Sequence, residues 1–325
     1  MRSHPRESAG TSSRSIGGQL AELRALIARH AEAGEKTVDG VAATEVDGVF
    51  VSAVTGQTEA VAPTSGTILA VIAQGGKRLA IGDRVYEYRA GQYLVASVEL
   101  PITGSHWYAT ATEPALGFGL ALRPSTIASL LLDAAEHGES PTPGGSPSAA
   151  APPGLGVADA SPELLDAVIR MLRLLDSPGD RPVLAPMIER EILWRLIAGP
   201  IGETVRQIGL ADSSLTYIRQ AVRWISEHYG ESFRVDDVAQ TCGMSTSAFH
   251  RNFQAVTGFS PIQFQKQIRL QRSRLMLMTG AEDVAAVGYQ VGYDSASQFS
   301  REYRRQFGLP PRRDAARLRA ETTPA

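Results

Sequence analysis

The chain is 325 residues long, which suits two domains at roughly 100 to 200 residues each and excludes a peptide or a lone small module. Hydrophobic residues make up 43% and charged residues 20%, so the composition is globular rather than disordered or fibrous. The formal charge of −2 hides an asymmetry: Leu210–Ala325 holds 15 Lys and Arg against 11 Asp and Glu, while Met1–Gly209 holds 17 against 23. A basic C-terminal part implies an anionic partner there. Cys242 is the only cysteine, which excludes an intrachain disulfide and a cysteine-based metal cluster and points to a reducing, cytoplasmic setting. Met1–Ser15 has no apolar core of a leader, and no later stretch approaches about 18 uninterrupted apolar residues, so neither export nor a membrane partner is expected.

In chain order, residues 1–15 read as a flexible tail. Ile16–Ala33 spaces Leu20, Leu23 and Ile27 by three and four, which predicts an amphipathic helix. From Gly48 to Leu122 the pattern changes to short runs rich in Val, Ile, Tyr and Thr, among them Val49–Val54, Thr67–Ala73 and Tyr93–Val98, separated by Gly, Pro and Asp. Lys77–Tyr88 reads as a hairpin turning at Gly82-Asp83. Evenly spaced strands of this kind suit a small antiparallel barrel or jelly roll. Pro124–Ala135 predicts a helix at its edge. Ser140–Gly156 is mostly Pro, Gly, Ser and Ala and reads as a flexible insert. Helical periodicity returns in Pro162–Leu175 and Met187–Ala198, whose apolar faces either pair two subunits or cover the barrel. Gly199–Asp212 reads as a connector. The expected division is therefore tail 1–15, helix and barrel 16–139, insert 140–156, helical segment 157–210 and an all-helical domain 211–325.

The residue constellations of an enzyme are missing. His4, His30, His106, His137, His228 and His250 are scattered without metal-ligand spacing, and no nucleophile elbow or phosphate-binding glycine loop occurs, so no cofactor, metal or catalytic residue is assigned. Cys242, beside Gly243 at a helix end, reads as a small buried residue rather than a nucleophile.

The C-terminal domain carries a clearer pattern. Val235–Cys242 predicts a short helix, Gly243-Met244-Ser245 a tight turn, and Ser245 the cap of a second helix, Thr246–Val256. Phe249 and Phe253 face inward there, leaving Ser247, His250 and Arg251 outward. About fifty residues on the grammar repeats: Val284, Val287 and Gly288, then Gly292-Tyr293-Asp294, then Ser295 capping a helix with Phe299 and Tyr303 inward and Ser297, Ser300 and Arg301 outward. The offsets match one for one, which a chance motif seldom does. Pro261–Met278 joins the two as a long helix, with Lys266, Arg269, Arg272 and Arg274 expected on its exposed face.

These stretches, from Gly243-Met244-Ser245 through Thr257-Gly258-Phe259-Ser260-Pro261 to Gly292-Tyr293-Asp294-Ser295 and Phe307-Gly308-Leu309-Pro310-Pro311, resemble the AraC/XylS-type transcription regulators over about Leu215–Arg313. Gly288 stands where that family usually has Ala, and Arg313-Asp314 where it ends in Tyr-Arg. More loosely, Gly75-Gly76-Lys77-Arg78, Gly82-Asp83 and Gly91-Gln92-Tyr93-Leu94-Val95 resemble the cupin-like sensor domain of one AraC subgroup. The resemblance implies an α+β protein: a cupin-like antiparallel β-barrel with flanking helices, then an all-α domain with two helix-turn-helix units entering successive major grooves about 34 Å apart. Double-stranded operator DNA is the implied partner, and the outward residues, Ser247, His250 and Arg251 with Ser297, Gln298, Ser300 and Arg301, are the candidates for base contact. Lys266, Arg304, Arg305, Arg312 and Arg313 are candidates for phosphate. A small effector in the barrel, a homodimer and RNA polymerase are further implied partners. Tyr86, Tyr88, Tyr93 and Trp107 are candidate effector contacts, with core packing as the competing role. Two alternatives stay open on these residues: an effector-independent regulator whose barrel only dimerises, and a cupin-type enzyme tethered to DNA.

Overall fold

The computed structural model describes residues 15–34, 40–56, 59–60, 66–81, 84–101, 103–136, 154–210, 214–279 and 283–322. The tail up to residue 14, the expected turn at Gly82-Asp83 and residues 137–153, which take in the Pro/Gly/Ser segment up to residue 153, lie outside the described residues. Helix α1 (Ile16–Ala33) starts at Ser15, whose hydroxyl accepts from the Gly18 N–H, and buries Leu23 and Ile27 completely.

The strands among the described residues are β1 (Val41–Ala43), β2 (Val49–Val54), β3 (Glu59–Ala60), β4 (Ile68–Gln74), β5 (Gly76–Ile81), β6 (Arg84–Arg89), β7 (Gln92–Ala96), β8 (Thr103–Trp107), β9 (Ala115–Ala121) and β10 (Leu155–Asp159). They form two antiparallel sheets, one in the order β1-β2-β9-β4-β7-β10 and one in the order β3-β8-β5-β6. Ile81 pairs with Arg84 and Ala80 with Val85, the register a two-residue hairpin connection requires. The larger sheet is asymmetric. Val49, Val51, Leu69, Val71, Tyr93, Val95, Phe118 and Leu120 share one buried face by register, and Tyr93 and Gly156 on that side meet Ile201 of the helical layer. The opposite face mixes the half-buried Phe50, Ser52 and Ala70 with the buried Ile72, Leu94 and Ala96.

Helix α2 (Pro124–Glu136) precedes β10, after which come α3 (Pro162–Leu174), α4 (Arg181–Ile197) and α5 (Gly202–Gly209). α3 is capped by the Ser161 hydroxyl and buries Leu165, Val168, Ile169 and Leu172, the face the spacing predicts. Three features depart from the sequence reading. α4 begins six residues before Met187: Pro182 lies in its first turn, where the missing N–H has no intrahelical partner to lose, and Pro186 is carried inside the helix at the loss of one backbone bond. The connector 199–212 contains α5, which buries Val205 and Ile208 and packs on α2. Leu155-Gly156, the end of the supposed insert, already belongs to β10, pairing with Ala96 and Val95.

The C-terminal part is α6 (Ser214–Glu227), α7 (Val235–Thr241), α8 (Thr246–Thr257), α9 (Pro261–Met278), α10 (Val284–Gln290), α11 (Ala296–Phe307) and α12 (Pro311–Thr322). The architecture is thus α+β, sheets first and helices last. One continuous buried cluster runs from α1 and the sheets through α6 and α8 to Phe264 and Ile268. A second cluster, around Leu270, Val287, Phe299 and Tyr303, belongs to the last three helices and the end of α9. The first helix-turn-helix unit therefore shares a core with the N-terminal domain, and the second has its own.

Candidate nucleic-acid interface

Each unit is built by the same local chemistry. In the first, Gly243 takes φ 64°, ending α7, and the Ser245 hydroxyl accepts from the Ala248 N–H at 3.3 Å to start α8. Thr246 Oγ1 donates to Asp236 Oδ1 at 2.8 Å, tying the start of α8 to the first turn of α7. Phe249 and Phe253 are fully buried, their rings 5.4 Å apart, and Phe253 meets Phe264 of α9 edge-on. With that face fixed, Ser247, His250 and Arg251 are all exposed on one side of α8. α8 ends at Gly258, in the left-handed region at φ 78°.

In the second unit Gly292 takes φ 92°, and a Cβ there would lie 2.3 Å from the Gly230 carbonyl, so the turn admits only glycine. The Ser295 hydroxyl accepts from the Gln298 N–H at 3.4 Å, Phe299 and Tyr303 are buried, and Gly308 closes α11 at φ 77°. Ser297 and Arg301 are exposed, while Gln298 and Ser300 are half-buried. Gly288, the departure from the family pattern, sits against α11: a Cβ would come within 2.9 Å of the Phe299 ring. Its cost in helix propensity accompanies a closer approach of α10 to α11.

Glu302 emerges as a hub that the sequence did not mark. Its carboxylate accepts from Lys266 Nζ at 3.1 Å, Tyr293 Oη at 3.0 Å and Gln298 Nε2 at 3.3 Å. Burial works to raise its pKa, but these three donors outweigh it and hold Glu302 below the usual carboxylate range. Lys266 thus spends its charge inside the protein, and Gln298 is oriented along α11. Arg304, Arg305, Arg312 and Arg313 are exposed around the end of α11 and the start of α12.

Two arginines expected on the exposed face of α9 are structural instead. Arg269 donates to the carbonyls of Tyr229 at 2.7 Å, Gly292 at 2.6 Å and Glu231 at 3.0 Å, clamping the second turn to the loop after α6. Arg274 is 2% exposed and pairs with the fully buried Asp314 of α12 through Nε at 2.8 Å and Nη2 at 3.2 Å. Tyr303 Oη also donates to Asp314 at 2.9 Å, and Arg274 lies 4.4 Å above the Phe307 ring. Asp314 is therefore the anchor of α12.

Of the candidate effector contacts, Tyr86 and Tyr88 lie on β6 and share a face with Leu79 and Lys77 of β5. Tyr93 lies in the other sheet, turned toward the helical layer, its hydroxyl pushed up to about 12 by burial against the opposing pull of the Ile201 backbone. Trp107 packs on Gly76, on the side of the small sheet that also carries Arg78, whose guanidinium lies 5.9 Å from the ring. The four aromatics therefore do not converge. Among the described residues no group of three His, Cys, Asp or Glu side chains is placed to hold a metal ion, and no helix is long and apolar enough to cross a membrane. Cys242 is buried, its thiol 3.5 Å from the Tyr217 carbonyl.

Two sheets followed by packed helices and a duplicated, identically capped helix-turn-helix define a DNA-binding transcription regulator. Two family models match the chain: the AraC-type transcriptional regulator N-terminus over residues 45–204 and a helix-turn-helix domain over residues 238–317. The chain belongs to the AraC-type transcriptional regulators. It is 24% identical over 148 residues to the HTH-type transcriptional activator RhaS of Citrobacter koseri, covering 46% of this chain and 53% of that one. RhaS of Salmonella arizonae is 25% identical over the same length, so the chain spans about half the length of the curated relatives it matches. Among solved structures, ToxT from Vibrio cholerae shares the fold with a TM-score of 0.52 at 10% identity, over 82% of this chain and 97% of that chain. A ToxT structure bound to (E)-4-(8-methylnaphthalen-1-yl)but-3-enoic acid matches with a TM-score of 0.50 at 12% identity, over 83% and 98% of the two chains.

Proposed function

We propose that the chain is a one-component, cytoplasmic regulator that reads operator DNA with α8 and α11 and answers to a small effector held by the N-terminal sheets. The observation that carries the reading is the pair of outward sets at equal offsets on two capped helices, Ser247, His250 and Arg251 and then Ser297, Ser300 and Arg301. The bases are assigned to these residues together with Gln298, and the phosphates to Arg304, Arg305, Arg312 and Arg313; Lys266, already paired with Glu302, contributes less. No catalytic role is assigned, and RNA polymerase is the partner through which a bound regulator of this class would act. The test is selection of bound duplexes from a random pool by the full-length protein at fixed, near-physiological salt. Two short preferred blocks about one helical turn apart are expected; no enrichment with or without candidate effectors would refute the reading.

An effector in the sheets has a short route to the DNA. The Gly154 N–H, on the sheet side, donates to the Val256 carbonyl at 3.0 Å, and Ile81 packs on Gly258, so β-domain and recognition helix α8 touch directly. Glu99, after β7, faces Arg272 of α9; burial raises its pKa, Arg272 opposes this and Glu227 adds to it. A ligand that favours one arrangement of this contact would change DNA affinity by the same differential. ToxT, which has this fold, holds a small molecule in one of its structures, in line with an effector here.

Homodimerisation is assigned to α4. Val183 and Met187 are 63% and 62% exposed and Leu184 is 41% exposed, an apolar stripe next to a depression of about 470 Å³ that Leu184 and Met187 line with Arg170 and Arg173 of α3. Met187→Glu with Leu184→Glu is expected to turn a dimer into a monomer in light scattering while the helical circular dichroism stays that of the folded chain. An unchanged mass would remove α4 from the interface.

A further inference from the structure

The small sheet buries the face that carries Leu79, Ile81, Tyr88 and His106, while Arg78, Glu87 and Arg89 stay exposed on the other. Register sets Lys77 of β5 directly opposite Tyr88 of β6 and directly opposite His106 of β8. Three polar side chains thus stand in one row across three strands, on a face where aliphatic residues would pack without loss. Tyr88 is only 2% exposed and His106 only 7%. His106 Nδ1 is buried with no hydrogen-bond partner among the described residues. An orphaned buried polar atom of this kind costs about 1–3 kcal/mol, which a bound molecule that completes the bond would recover.

The row lies on the inner face of the small sheet, whose Leu79, Ile81 and Tyr88 share one buried cluster with the larger sheet. Lys77 runs its stem across Gly104, where a Cβ would stand 3.5 Å from Lys77 Cε. On the larger sheet, the face away from the helices carries Ser52, Ala70, Gly117 and Gly119 with Phe50, and the half-buried Phe50, Ser52 and Ala70 stand there beside the buried Ile72, Leu94 and Ala96. We infer that Lys77, Tyr88 and His106 form the anion-binding end of the effector site and take a carboxylate group. The inference rests on the effector reading above. Lys77 supplies the charge, and the Tyr88 hydroxyl and one imidazole N–H supply directed donors; a carboxylate's two oxygens have acceptor positions enough for all three. Burial first and the Lys77 charge second bring the His106 pKa down to about 4, so at neutral pH the ring is an uncharged donor.

The experiment is thermal unfolding of the full-length protein with benzoate, hexanoate or octanoate, each against its alcohol, benzyl alcohol, 1-hexanol or 1-octanol, at matched ionic strength. At least one acid is expected to raise the melting temperature more than its alcohol. Lys77→Met should weaken that acid's apparent Kd at least about tenfold, and Lys77→Arg should retain it. The ligand-free transition of each variant establishes that it folds. Equal stabilisation by acid and alcohol, an acid response that survives Lys77→Met, or no acid response at all would overturn the inference. The effector reading is judged separately: stabilisation by a neutral probe alone sinks the anionic end and leaves an effector in place, whereas silence toward these probes and toward sugars and amines counts against both.

Discussion

Replacing Asp314 with alanine is expected to destabilise the second helix-turn-helix unit by about 3–5 kcal/mol, the loss typical of a buried ion pair deprived of one partner. The side chain has no exposed surface, and it accepts from Arg274, Tyr303 and Arg317 at once. Without it the Arg274 guanidinium, 2% exposed, keeps its charge in a site that water does not reach. Because the second unit has a buried cluster separate from the one spanning the rest of the chain, the loss should appear as an early, partial transition in helical circular dichroism during urea unfolding. Tyr303→Phe removes only one donor and should cost about 1 kcal/mol. The double change Arg274→Met with Asp314→Leu, which removes both charges, should recover most of the loss. A wild-type-like transition in Asp314→Ala would mean that α12 is anchored elsewhere.

The pH dependence carries a sign that can be checked. Burial pushes Asp314 up, but the Arg274 hydrogen bond and charge, with help from Arg317 and Tyr303, bring its pKa below the ordinary aspartate value. A depressed carboxylate stabilises fully above its unfolded pKa of about 3.9, and that contribution disappears as the pH falls through the lower folded value. Wild type and Asp314→Asn should therefore differ by a constant amount at neutral pH and converge in strong acid.

How much of this was legible in the sequence follows from the distance between partners. The two helix-turn-helix units were readable because cap, turn glycine and inward aromatics all lie within one or two helical turns: Ser245 to Phe253, Ser295 to Tyr303. Arg274 and Asp314 are forty residues apart, and no local period links them. α9 also packs against α6, α8, α10, α11 and α12, so it has no single polar stripe, and Arg269 and Arg274, which read as exposed, turn inward. Glu302 was hidden for the same reason: on α11 it reads as one more charge between Arg301 and Tyr303, and only the fold brings Lys266 and Tyr293 to it. In the N-terminal domain the aromatic residues drew attention by type, but Tyr93 and Trp107 point away from the face on which His106 and Lys77 lie. Strand alternation gives each residue a face, but which faces oppose each other is a property of strand order, which the sequence alone left open.

Arg251→Ala and Arg301→Ala should each weaken binding to the preferred duplex by about 1–3 kcal/mol and flatten the preference at one block, leaving the other block unchanged. Both guanidiniums are exposed, and neither has an ion-pair partner among the described residues, so no described carboxylate competes with a guanine edge for them. A phosphate role predicts a different outcome: equal loss on every duplex, with a salt slope smaller by about one unit per residue. That second pattern is expected for Arg304→Ala and Arg305→Ala, which follow the outward set along α11. Lys266→Ala separates the two electrostatic accounts, since its charge is held at 3.1 Å by Glu302 and its removal should hardly change the slope. If Arg251→Ala and Arg301→Ala behaved like Arg304→Ala, the two helices would hold the DNA without reading it. Sequence choice would then fall to His250 and Gln298 or to the shape of the duplex, and the selected blocks would survive both substitutions.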